Sequence, residues 1–197
     1  MKNIFVLTLL TLSIIFYGQK KKPVKIPQVE IAKSIAKNGN LTADLIASNF
    51  VLTIDNKTTS KDTIVLCKAT NGKMPLDVKI QPFSTKGTSL YLITWTDKSK
   101  TESKLLKEDI TINNAVIVNL LTKSKIHVNK QLSSEITMIQ YLDVKKTVSE
   151  TIQKKHSEGY SFLLLNDGDF IKKTKSKEIR YSYNKASNLY EENLKKK

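Results

Sequence analysis

Five successive segments between residues 49 and 121 (NFVLTID, DTIVLCKA, LDVKIQPF, SLYLITWTD and AVIVNLL) keep their apolar residues on a period close to two. Successive side chains on a strand point to opposite faces, so each segment predicts β-structure. The links DNKTTSK, TNGKMP and STKG are rich in turn residues and leave no room for a helical crossover, which makes antiparallel hairpins the expected connection. LDVKIQPF places Leu76, Val78 and Ile80 on one face and Asp77, Lys79 and Gln81 on the other, the signature of a sheet with one wet face. TESKLLKEDITI, with poorer alternation, predicts one or two further edge strands.

Elsewhere the apolar spacing suggests helices. In QVEIAKSIAKNG, Ile31 and Ile35 lie four apart, as do Ala32 and Ala36, with Pro27 before and Asn38-Gly39 after. A second short helix is expected with Thr42 as cap, Asp44 in its first turn and Leu41 stapled onto Ile46. The best-marked helix is expected over about residues 143–158. Asp143 stands at its N-cap, Val144, Val148 and Ile152 follow at steps of four, and Lys154, Lys155, His156 and Gly159 close it. Asp167-Gly168 between apolar runs predicts a hairpin, IRYSY a last strand, and Ala186, Leu189, Tyr190 and Leu194 a terminal helix. The expected fold is therefore α+β, one domain over residues 28–197 with an antiparallel sheet as its main core.

Residues 1–18 are set apart from that domain. Lys2 precedes the 13-residue apolar run IFVLTLLTLSIIF, shorter than the roughly 20 residues of a membrane-spanning helix. This predicts an export signal cleaved after Gly18, a periplasmic or secreted chain that is not integral to a membrane after cleavage, and a basic leader over 19–27. No other cysteine accompanies Cys67, so an intrachain disulfide framework is excluded, while Cys67 itself is either free or paired between chains.

The chain lacks a nucleophile elbow, a P-loop, a dinucleotide fingerprint and the H-E-x-x-H zinc motif. It has two histidines, His127 and His156, which excludes a His-rich metal site, and Asn166-Asp167-Gly168-Asp169 lacks the further ligands of an EF-hand loop. His127 reads as a surface or hydrogen-bonded strand residue and His156 as a cation at a helix end. No metal or cofactor is expected. Of the 33 cationic residues only Arg180 is an arginine. Lysine is a flexible point charge without the bidentate fork that reads guanine, so nonspecific attraction to polyanions is expected and sequence-specific nucleic-acid recognition is not. The densest cluster is Lys172, Lys173, Lys175, Lys177 and Arg180, a candidate patch for anionic surfaces. Tyr91, Ile93 and Trp95 share one strand face and Leu90, Leu92 and Thr94 the other, as in a central strand covered on both sides. Tyr91 and Trp95 are the candidate ligand-stacking residues.

The order of elements, an export signal, a short helical start, a long antiparallel meander, a helix and a late strand, resembles that of the lipocalin-like barrels. The Gly-x-Trp of that family's first strand is absent from NFVLTID. A lipocalin-like β-barrel is thus the alternative architecture. For function, the missing catalytic motifs favour an exported, non-catalytic binding or interaction protein that contacts an anionic envelope or polysaccharide surface through its lysines. The alternatives are a small-ligand carrier with an aromatic-lined cavity and an enzyme of unrecognised type.

Overall fold

The computed structural model describes residues 33–56, 61–69 and 74–193, and no helix occurs among them. Strands β1 (Lys33–Asn38), β2 (Leu41–Ile46), β3 (Asn49–Ile54) and β4 (Asp62–Lys68) form a first sheet. A central sheet follows from β5 (Leu76–Thr85), β6 (Thr88–Glu102), β7 (Leu106–Asn119), β8 (Ser124–Tyr141) and β9 (Ser149–Gly159). The third sheet holds β10 (Ser161–Leu164), β11 (Phe170–Lys173), β12 (Glu178–Asn184) and β13 (Leu189–Glu192). Each sheet is an antiparallel meander in sequence order, as the short links require. The central sheet stays open, with β5 and β9 as its edges, and β5 carries Pro82 where an edge strand tolerates the missing donor. The fold is therefore all-β with no closed barrel, which overturns both the α+β expectation and the lipocalin-like alternative.

Two cores lie on opposite faces of the central sheet. On one face Ile80, Ile93, Trp95, Val116 and Val118 meet Phe50, Leu52 and Leu66 of the first sheet. On the other, Leu90, Leu92, Ala115 and Ile117 meet Phe170 and Tyr183 of the third. Strand β6 feeds both, its odd residues to one core and its even residues to the other, which is why SLYLITWTD is apolar on both faces. Each buried Phe or Leu here contributes about 2 kcal/mol through the apolar area it removes from water.

The expected helices are strands and turns. Residues 1–32 lie outside the described residues, and with them the export signal, the basic leader and the first part of the N-terminal helix. The remainder of that helix is β1, paired with β2, and Gly39-Asn40 make the two-residue connection between them. The second expected helix is β2 itself, where Thr42 Oγ1 donates to Asp44 Oδ2 (2.9 Å) two residues along one strand face. The helix expected over 143–158 is a loop followed by β9, which pairs with β8 from Gln131↔Gly159 to Tyr141↔Ser149. Asp143 still caps, but it caps the loop: Oδ1 accepts from the amides of Thr147 (2.8 Å) and Val148 (2.9 Å), and Oδ2 from the Thr147 hydroxyl (2.6 Å). Those bonds hold its carboxyl below the usual range. The terminal helix is β13, whose Tyr190 packs on Phe170 and Tyr183, while Leu194 lies outside the described residues. TESKLLKEDITI gives no edge strands; it closes β6 and opens β7, both interior to the central sheet. The hairpin expected at Asp167-Gly168 is present, closed between Leu164 and Phe170.

The central strands outrun their neighbours. Beyond about Thr96 in β6, the ladder continues through Glu102↔Lys107, Leu106↔Met138 and Tyr141↔Ser149 with no sheet packed on either face among the described residues. One face of this extension carries Ile110, Ile112, Leu132, Ile136, Met138 and Ile152, all half-buried by one another. The other carries Thr111, Gln131, Ser133 and ionic pairs such as Lys155–Glu135 (2.8 Å).

Candidate functional site

A groove opens on that second face, at the step where the third sheet stops and the extension begins. Its floor is two rungs of the central ladder, Thr94↔Ala115↔Asn129 and Thr96↔Asn113↔Gln131. Residues two apart on a strand share a face, so both rungs present their side chains to the same side. Ala115, between Thr94 and Asn129, keeps the floor low. Ser161 and Phe162 of β10 form one wall, and Asp77 and Lys79 of β5 stand at the opposite rim. The cavity volume is about 320 Å³.

The hydrogen bonds within the groove are only partly spent. Thr96 Oγ1 donates to Asn113 Oδ1 (3.2 Å), which leaves the Asn113 NH2 without a partner among the described residues. Asn129 is buried and donates from Nδ2 to the Tyr160 carbonyl (2.8 Å), tying the floor to the turn into the third sheet. That turn depends on Gly159 at φ 82°, where a Cβ would lie 2.4 Å from the Lys130 carbonyl oxygen. The Gln131 amide makes no hydrogen bond among the described residues. Phe162 packs against Phe170, with centroids 4.9 Å apart and the rings tilted by 33°. Asp77 reaches the rim from a bulge between Leu76 and Lys79, at φ 52°, a conformation that costs a non-glycine residue about 1 kcal/mol. The lining holds one carboxylate, one ammonium, several neutral amides and hydroxyls, and an aromatic wall. Histidine and cysteine do not line it.

The residues singled out from sequence are placed differently. Trp95 is 3% exposed, its ring set edge-on to Phe50 (5.0 Å, 67°) in the first core, and its indole N–H donates to Asp97 (3.2 Å). It borders the groove only from the strand whose other face carries its ring. Tyr91 borders a separate, open cleft of about 630 Å³ beside Leu120 and Leu121. The structure thus does not bring Tyr91 and Trp95 to one cavity. The cationic cluster is also divided. Arg180 reaches Asp169 (2.9 Å) and Asp167, Lys173 pairs with Glu178 (3.4 Å), and Lys172 lies over the Tyr181 ring (5.3 Å). Lys175 and Lys177 are left exposed in or beside the turn between β11 and β12. The oxygens of Asp167 and Asp169 thus serve Arg180, and among the described residues no group of three or more His, Cys, Asp or Glu is arranged to hold a metal.

His127 is neither an exposed nor a hydrogen-bonded residue. Its ring is packed against Phe170 (4.4 Å) and near Phe162 and Tyr181, and its Nε2 is buried with no partner. Cys67 is free and half-buried, and burial pushes its thiol up, reinforced by Asp97. The groove residues Thr96, Asn113 and Gln131 went unremarked in the sequence. The available signal was polar residues two apart on one strand face, Thr94 and Thr96 in β6 and Asn129 and Gln131 in β8. No family model, no curated protein and no solved structure matches this chain, so the groove's own chemistry carries the functional reading.

Proposed function

We propose that this chain is an exported, non-catalytic binding protein that holds an uncharged, hydroxyl-rich ligand of the saccharide class in the groove above Thr96, Asn113 and Gln131. The carrying observation is the unspent Asn113 and Gln131 amides on one rung, beside the Phe162 ring. Planar amides both donate and accept, which suits sugar hydroxyls, and an aromatic ring covers the apolar face of a sugar. Charge is confined to the rim, at Asp77 and Lys79. An envelope or extracellular glycan is the source that fits the export signal read over residues 1–18. Contact with anionic surfaces through Lys172, Lys173, Lys175, Lys177 and Arg180 has less support, because Arg180 and Lys173 are already paired.

The test is calorimetric titration of the full chain with a panel of neutral and acidic oligosaccharides. A neutral oligosaccharide is expected to bind with little change between about 50 and 500 mM NaCl, since hydrogen bonds and stacking are not screened as exposed charges are. Asn113→Ala and Gln131→Ala are each expected to weaken that binding about tenfold, the worth of one or two hydrogen bonds. Binding confined to acidic oligosaccharides and lost in high salt, or binding indifferent to both substitutions, sinks this reading.

A further inference from the structure

At the far end of the extension two turns lie side by side. Leu105 of the β6–β7 turn accepts a hydrogen bond at its carbonyl from the Ile139 amide (2.8 Å), next to the loop that joins β8 to β9. Together they gather Leu105, Ile139, Tyr141, Leu142, Val144 and Val148, all exposed. Val144 is fully exposed, and Leu142 and Val148 are 57% and 53% exposed. Six exposed apolar side chains gathered at one tip go beyond the ordinary scatter of single surface hydrophobes. Their backbone is fixed: Asp143 ties down Thr147 and Val148, the Leu142 amide donates to the Val148 carbonyl (3.0 Å), and the Lys146 amide to the Asp143 carbonyl (3.1 Å).

The charges at the tip are biased in one direction. Asp143 is occupied inside its loop and Glu102 by Lys100 (2.8 Å). Lys104, Lys145 and Lys146 form no ion pair among the described residues, against the unpaired carboxylates of Glu150 and, farther back on β7, Glu108. Lys146 sits 5.7 Å above the Tyr141 ring, so one cation already rides on the apolar cluster. A protein partner would have to supply a concave, complementary socket for knobs that project from two separate turns. A lipid surface needs no socket: apolar side chains enter the boundary between headgroups and acyl chains, and the ammoniums stay among the phosphates. We infer that the tip formed by residues 103–105 and 141–148 docks on an anionic lipid surface. This site is remote from the groove and does not rest on the saccharide reading.

Val144→Trp in the full chain supplies a local reporter, because the native indole of Trp95 is buried in the core and its signal is removed by difference from the parent. The probe is vesicles of phosphatidylcholine with about 30% phosphatidylglycerol, carrying bromine on the acyl chains. The introduced indole is expected to shift to the blue and to be quenched on these vesicles, but weakly on pure phosphatidylcholine. Near an anionic surface each lysine is worth about fivefold in partitioning, so Lys145→Gln with Lys146→Gln is expected to move the quenching midpoint to roughly 30-fold more lipid. The apolar run at residues 4–16 has its own affinity for vesicles, but only the tip's own entry quenches at this position. No quenching, equal quenching on neutral and anionic vesicles, or a midpoint unmoved by the double substitution overturns the inference.

Discussion

Gly168→Ala lowers the stability of the fold by about 3–5 kcal/mol, the sum of a strained backbone and an overpacked contact. Gly168 sits at φ 81° in the β10–β11 turn, and a Cβ there would lie 2.4 Å from Thr85 Cβ and 2.7 Å from the Ser84 carbonyl oxygen. Thr85 is itself buried at the end of β5, so the atoms in the way are not the free end of a flexible side chain. The turn has little slack either, since its glycine amide donates to the Leu165 carbonyl (3.1 Å) and its carbonyl accepts from the Tyr190 hydroxyl (2.7 Å). Moving it draws Phe170 out of the aromatic cluster with Tyr181 and Tyr190 and separates Asp169 from Ser182 (2.7 Å). The loss is therefore expected to concentrate in residues 161–192, read as faster amide exchange there than in the first sheet. Gly87→Ala is the control. It too has a positive φ, but nothing lies within 4 Å of its added methyl, so a loss of only about 1 kcal/mol is expected in urea unfolding. Equal losses for the two variants would show that the contact with Thr85 is not what the glycine protects.

What could be read from the chain divides along the same line as the packing. Strands β3 to β6 and the inner half of β7 were legible because each buries at least one face, and burial imposes the period of two. Strand β9 was not, because it runs along the extension with solvent near both faces, and only Ile152 is half-buried in SETIQKKHSEG. The steps of four that suggested a helix join unlike structure: Val144 and Val148 lie in the loop that Asp143 caps, and only Ile152 is on the strand, so their spacing reflects no shared face. In β1 the ambiguity between helix and strand was sharpened by a bulge between Ser34 and Ala36, which puts Ile35 and Ala36 both against the core. The groove shows the further limit. That Asn129 and Gln131 share a face is local information, but that Gln131 meets Asn113 and Thr96 is a register between distant strands. The pairing of Arg180 is hidden in the same way: the acids that meet it come from the preceding hairpin, at Asp167 and Asp169.

Acidification from pH about 6.5 to about 4 is expected to remove about 2 kcal/mol of stability through His127 alone. Burial against Phe162, Phe170 and Tyr181 pushes its pKa down from 6.5 to about 4, and the nearby Lys172 ammonium pushes the same way. The unfolded chain takes up this proton at a pH where the folded chain does not. Stability therefore rises with pH across the interval; it is complete above about 6.5 and gone near 4. The full shift corresponds to roughly 3 kcal/mol, reduced here because the ring is not entirely shut off from water. The carboxyls of Asp62, Glu102, Glu135 and Asp143, all held below their usual range by hydrogen bonds to lysine or loop partners, begin to withdraw their stabilisation as pH falls through their ordinary values of 4.5 for Glu and 3.8 for Asp, at the acid end of this interval, and lose the rest below it. His127→Leu separates the two regimes. It should flatten urea midpoints between pH 6.5 and 4 and leave the steeper acid limb in place. At neutral pH it should also raise stability by about 1 kcal/mol, since it removes a buried nitrogen that has no partner. A variant that keeps the parent's slope over that interval would place the titrating group elsewhere. Because His127 lies under Phe170, the proton it resists acts on the contact that holds the third sheet against the central one. That contact also positions the Phe162 wall of the groove, so acid is expected to loosen the binding site before the first sheet responds.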